Sequence, residues 1–275
     1  MILIPRPNPI PPHKIRPMLA RKQKVRQQLF TTPLPDAWWE IIDRRVPYIR
    51  AMSEADRAEL AGHIQILLHE KKFEGCGGLE MTDEIRVIIA AQAAVLLLHR
   101  KTNYYPTLKT ILVYPHAYFS AMPHQLPDGT ISEEPQGRLG ESWFRGSLVL
   151  SWDDVVRGAS NPSDGHNVFF HEFAHQLDGE SGAMNGAPVL TSPSHYRQWA
   201  HVLGHDYKEL VEEVHKNHKS LIDPYGSTNP AEFFAVITEA FFEQSHAMRR
   251  QHPELYQQLA EFYRQDPAAT PPSTS

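Results

Sequence analysis

Two histidines four residues apart, inside an otherwise apolar stretch, constrain this 275-residue chain more than any other feature. The stretch runs Val168, Phe169, Phe170, His171, Glu172, Phe173, Ala174, His175, Gln176, Leu177, Asp178, and Gly179 can end it. On a helix, residues i and i+4 share a face, so both imidazoles point the same way. Two imidazoles and a carboxylate are costly to bury beside three phenylalanines unless something partners them. A metal ion would do so, and Glu172 projects beside the pair, within reach of a metal-bound water. That is the HExxH arrangement of two ligands and a general base. In a chain of this composition chance would produce the pattern roughly 0.07 times, so its setting has to carry part of the argument.

Composition narrows the ligand chemistry. The chain has 16 histidines and one cysteine, Cys76. A single cysteine allows no internal disulfide, and it excludes thiolate zinc fingers, iron–sulfur clusters and CxxC redox sites. The site is therefore bound by nitrogen and oxygen, and one zinc ion is the metal that suits such ligands. A catalytic zinc wants a third protein ligand, and no histidine follows at the metzincin spacing. The best donor segment runs from Asn229 to Glu243. Pro230 fits the first helical position, and Glu232, Glu239 and Glu243 stand at i, i+7 and i+11 along one stripe of a phenylalanine-rich helix. With Asn229 as N-cap, Glu232 could instead close a capping box on the cap's own N–H. Spacing leaves Glu232 and Glu239 both open as third ligand. Tyr225, in the turn Asp223-Pro224-Tyr225-Gly226 just before that helix, is placed either to donate a hydrogen bond to an oxyanion or to pack on the core as a loop aromatic.

The remaining pattern is mostly helical. Trp38, Trp39, Ile41 and Ile42 mark a short helix ending before Pro47, and Ser53 caps one running to Lys71 that the Gly75–Gly78 stretch ends. Thr82 caps a helix that is apolar almost all round and so belongs at the centre. Further helices are expected at about 165–178, 195–219, 230–246 and 253–264. The best strands are Thr110–Tyr114 and Ser147–Trp152; between them, Pro115–Gly146 reads as a long functional loop or small strands. Strands do not alternate with helices. The expected fold is α+β, a mostly helical domain over 36–266 with a small β-sheet and the HExxH active-site helix.

Charge is uneven. The net charge is −5, yet residues 1–50 carry ten Lys/Arg against three Asp/Glu, and residues 1–26 hold seven bases and no acid. Residues 1–35 read as a basic, Pro-rich arm whose prolines prevent helix until Met18 or later. With no aromatic among its bases it reads as solvated, and nucleic acid is not expected as a partner. Residues 267–275 read as a disordered tail. The longest apolar run, Val87–Leu98, is too short to cross a bilayer, so no membrane association is expected. The N-terminus lacks a signal-peptide apolar core, and a cytoplasmic location is expected.

Several stretches taken together, FEGCGGLEMTDEIRVIIAAQAAVLLL, ESWFRGSLVLSW, DGHNVFFHEFAHQLDGESGAMNG and YGSTNPAEFFAVITEAFF, resemble the Mlc titration factor A family, bacterial glucose-regulated metallopeptidases of the zincin class. The resemblance covers about residues 36 to 266. It implies a zinc-dependent peptidase of aminopeptidase type with a peptide substrate. It also implies zinc ligands His171, His175 and Glu232, Glu172 as general base and Tyr225 as a catalytic aid, with Glu239 behind the ligands. It further implies a transcriptional repressor, Mlc, as partner, linking the protein to sugar uptake. The alternative is a repressor-sequestering protein that is non-catalytic or only secondarily catalytic. Zincins bind substrate along an edge strand, and Ser147–Trp152 is the segment expected either to take that role or to be a plain core strand.

Overall fold

The computed structural model describes residues 12–116, 124–125, 131–132, 146–161 and 163–269. Helix caps follow the sequence signals closely. Helix α1 spans Pro12–Phe30, α2 Asp36–Arg45, α3 Pro47–Arg50 and α4 Glu54–Glu70. The Ser53 hydroxyl caps α4 by accepting from the Asp56 N–H. After strand β1 (Lys72–Gly75), α5 (Asp83–Val95) starts under a Thr82 cap and is buried on nearly every side. Strands β2 (Thr110–Tyr114), β3 (His124–Gln125), β4 (Ile131–Ser132) and β5 (Ser147–Ser151) follow. The rest is helical: α6 Trp152–Ser160, α7 Val168–Asp178, α8 Pro193–His215, α9 Pro230–Glu243, α10 Ser245–Gln251 and α11 Pro253–Tyr263.

The sheet is small and parallel, in the order β1-β2-β5, with Phe73 beside Ile111 and Ile111 beside Leu148. Among the described residues β5 is an edge strand. The only other pairing among the described residues is the two-residue antiparallel ladder of β3 with β4. One buried cluster runs from Leu34 to Ala268 and joins helices and sheet in a single core. The architecture is the expected mostly helical α+β. None of the described helices is long and apolar enough to cross a membrane.

Four expectations need correction. The glycines do not end α4 directly: the chain leaves the helix at Lys71 and first forms β1, which pairs with the distant β2. The helix expected over 230–246 breaks at Gln244, where the backbone turns to φ −119°, ψ 34°, and α10 starts at Ser245. The tail is ordered further than expected, since Pro267–Ala269 form a 3-10 turn and buried Ala268 donates its N–H to the Tyr256 hydroxyl. Residues 270–275 lie outside the described residues.

The fourth correction concerns the arm. Helix begins at Pro12, ahead of Met18, because a proline at the first helical position lacks only an N–H that would have no partner there. Residues 21–24 are exposed, but the helix is docked on the body through Arg26. The Arg26 guanidinium makes a two-pronged pair with Glu70 at 2.6 and 2.9 Å and lies 4.6 Å over the Tyr104 ring. Gly62 permits the contact, since a Cβ there would meet Phe30 atoms at 2.6 to 2.8 Å. Residues 1–11, and most of the loop 115–146 with its ESWFR stretch, lie outside the described residues.

Candidate metal centre

Helix α7 is built to present its histidines on one side. Asn167 caps it, its Oδ1 accepting from the Phe170 N–H at 3.0 Å. Phe169, Phe170, Phe173 and Leu177 fill the core, with Phe169 stacked on Phe173 at 4.6 Å and Tyr105 edge-on to Phe173 at 5.0 Å. That fixes the helix about its axis and turns His171 and His175 toward α9. Helix α9 starts with Pro230, and the Asn229 side chain accepts from the N–H groups of Ala231 and Glu232.

Between the two helices three donor atoms converge. Glu232 Oε2 stands 3.0 Å from His171 Nε2 and 3.2 Å from His175 Nε2, and the two Nε2 atoms are 3.2 Å apart. Ligands at about 2.0–2.1 Å in tetrahedral geometry stand roughly 3.3 Å from one another. The triangle therefore has the size that a zinc ion requires. Two ring nitrogens turned toward each other and toward one carboxylate oxygen need a cation between them, whether a shared proton or a metal, and the donor set fits zinc.

Glu232 and Glu239, both open from spacing, occupy different positions. Glu232 does not reach back to its cap; its Oε2 faces both Nε2 atoms. Glu239 lies behind His171, its Oε1 2.8 Å from Nδ1, while its Oε2 accepts from the Asn167 N–H. Glu243, third on the stripe, accepts from Asn167 Nδ2 at 2.8 Å and from the Gly165 N–H. Sequence reasoning missed Asn167. It signalled itself only as an N-cap, yet it is fully buried and ties α7 to α9 and, through the Gly158 carbonyl, to α6.

Glu172 is buried, and its Oε2 has no hydrogen-bond partner among the described residues. Burial pushes its carboxyl up to about 8; His171 pulls the other way, while Glu232 and Glu239 add to the rise. A carboxyl balanced near neutrality, with a free oxygen, has the chemistry of a group that exchanges protons. Burial would lower His171, but its hydrogen bonds to Glu232 and Glu239 outweigh that and raise it. Glu232 answers in the opposite sense: burial favours its neutral form, and the two histidines overcome this and hold it ionised. His175 is lowered by burial against the pull of Glu232, which favours the neutral, ligating imidazole.

Tyr225 sits in a 3-10 turn, Pro224–Ser227, that lies against α8 and α9. Its ring is 6.0 Å from that of His171 and the residue is 52% exposed, so it rims the site and is not a core aromatic. Burial of the phenol, then the charges of Glu232 and Glu172, raise its pKa.

The model of a family described as glucose-regulated metallo-peptidase M90 matches residues 20–264. The chain is 45% identical over 243 residues to an uncharacterised protein of Synechocystis, covering 88% of each chain. It is 29% identical over 235 residues to Mlc titration factor A of Yersinia pestis, covering 84% of this chain and 85% of that one. The Yersinia pseudotuberculosis protein of the same name matches equally well.

Proposed function

Because this chain belongs to the glucose-regulated metallo-peptidase M90 family, we propose that it is a zinc-dependent peptidase in which His171, His175 and Glu232 hold one zinc ion. The observation that carries this reading is the triangle of Nε2, Nε2 and Oε2 atoms at 3.0 to 3.2 Å, with the unpartnered Glu172 oxygen on the same helix. Bound there, zinc supplies Lewis acidity toward the peptide carbonyl and acidifies a water molecule. The chain's residues do the rest. Glu172 takes the proton of the attacking water and delivers it to the leaving amine as the peptide bond breaks. Its burial keeps bulk solvent from that proton. The Tyr225 hydroxyl, at the rim, donates to the oxygen that becomes negative. Glu239 holds His171 by Nδ1, so the Nε2 lone pair faces the ligand position. The edge of β5 receives the substrate as an added strand. The resemblance noted in the sequence favours aminopeptidase-type cleavage.

Glu172→Gln tests the assignment. It should retain one equivalent of zinc by elemental analysis while peptide hydrolysis falls by about 10²–10⁴-fold, the usual worth of a general base. His175→Ala should lose both metal and activity. Hydrolysis by Glu172→Gln at the parental rate would end the mechanism, and a parent that binds no zinc would end the metal assignment.

The Yersinia relatives are named for Mlc, and this supports a second reading, that the chain binds a transcriptional repressor and so acts in the cytoplasm. If Glu172→Gln or zinc-stripped protein still binds an Mlc-like repressor, binding is separate from hydrolysis. Loss of repressor binding in both would tie the two together.

A further inference from the structure

Away from the metal centre, α1, the end of α4 and the turn before β2 border an open cavity of about 550 Å³. Its walls carry Arg21, Lys22, His69, Lys71 and Lys109, with Glu70 the lone acid. Glu70 is already engaged, by Arg26 at 2.6 Å and Lys22 at 3.1 Å. Arg21 and His69 have no hydrogen-bond or ion-pair partner among the described residues, and Lys109 reaches only the Pro106 carbonyl. Deepest is Lys71, 7% exposed, with its ammonium donating to the carbonyls of Tyr105 and Leu108 at 2.7 and 2.9 Å and to no carboxylate. A buried ammonium with no carboxylate hydrogen-bonded to it is costly. Burial pushes Lys71 down to about 7, and Lys109, Lys22 and Arg26 push the same way against Glu70. Basic groups outnumber the single, already paired carboxylate around this pocket, and its size suits a small molecule.

We infer that this cavity binds a small soluble polyanion, a phosphate ester or a polycarboxylate, gripped by Arg21 and Lys109 above the Lys71 ammonium. The shared chemistry is two or more negative charges on a compact ligand. Nucleic acid fits less well, because the cations surround a pocket and, among the described residues, no Phe, Tyr or Trp lines it to stack a base. This site is independent of the peptidase assignment, since none of its residues belongs to α7 or α9.

Calorimetric titration of the full chain at 150 mM chloride tests it, with inorganic pyrophosphate and citrate as probes that separate the two ligand chemistries. Saturable one-to-one binding of either is expected. The double variant Arg21→Gln/Lys109→Gln should weaken it at least tenfold. Lys24→Gln/Lys101→Gln, which removes as much charge outside the cavity, should change it less than twofold. Both pairs leave α7 and α9 intact, so chelation at the metal centre would not distinguish them. Lys71→Met should abolish binding; if it fails to fold, the surface pair still decides. Saturation by neither probe, or equal weakening by both double variants, overturns the inference. So does preferential binding of a short DNA duplex.

Discussion

His171 has a carboxylate on each ring nitrogen, Glu239 at Nδ1 and Glu232 at Nε2. A neutral imidazole donates from one nitrogen and accepts at the other, so the Glu239 bond sets which lone pair is free. Glu239→Gln should therefore weaken zinc binding by about 10–100-fold while leaving helix content unchanged. A chelator-competition titration measures this. Unchanged zinc affinity would mean Glu239 serves only to hold the Asn167 N–H. Tyr225→Phe should keep the zinc and lower kcat by up to about 10²-fold, because only a developing oxyanion needs that hydroxyl. A Tyr225→Phe enzyme with parental kcat would return Tyr225 to the rim aromatics. At this scale residue spacing could name both histidines and both glutamates but not rank the glutamates, which only the family resemblance did. Residues seven apart on a helix lie on one stripe, and what separates them is which imidazole nitrogen each one meets across the α7–α9 contact. Asn167 escaped for the same reason: its cap is local and readable, while its bonds to Glu243 and Gly158 are not.

Helices α7 and α9 must keep a fixed spacing for the three donor atoms to stay 3.0 to 3.2 Å apart, and the loop after α7 helps set it. Asp178, at the end of α7, accepts from the Gly186 N–H at 2.8 Å, and the Gly186 carbonyl accepts from the Trp199 indole at 2.9 Å. Gly186 has φ +75°, and a Cβ there would meet the Pro230 carbonyl oxygen at 2.3 Å. Gly186→Ala should thus cost about 1–3 kcal/mol through left-handed strain and the clash. Because Pro230 is two residues from Glu232, zinc affinity should fall with it. Thermal melts and zinc titration of the variant check both, and a parental Tm would mean that the loop moves aside freely. Elements were legible where the signal was local: the caps at Ser53, Thr82 and Asn229, and the all-round apolar pattern of α5. Strand β1 was not, because it is four residues long with only Phe73 to mark it, and its pairing to β2 crosses α5. The break at Gln244 was equally silent, since Glu243 and Ser245 continue an acceptable helical sequence.

For the whole molecule, the uneven charge of the sequence becomes a packing device. The body carries the negative excess, and the basic α1 lies against it through Arg26, Lys22 and Glu70. Charge counting saw a basic segment and read it as solvated, because nothing in residues 1–35 reveals that Glu70 and Tyr104 wait for Arg26. The pair makes docking pH-dependent with a definite sign. Burial favours the neutral form of Glu70, but the hydrogen bonds and charges of Arg26 and Lys22 outweigh it and lower its pKa in the folded chain. A carboxylate depressed on folding stabilises the fold above its unfolded pKa, about 4.3, and loses that contribution as pH falls through the lower folded value. The Arg26–Tyr104 stacking does not titrate in that range. Arg26→Met should therefore destabilise the protein by roughly 1–3 kcal/mol at pH 7. That gap should narrow from about pH 5 toward pH 3 without closing, because loss of stacking persists. Urea unfolding of parent and variant at both ends of the range measures the difference directly, and other titrating carboxylates cancel between the two proteins. A gap of constant size across the range would show that Arg26 holds α1 by packing alone.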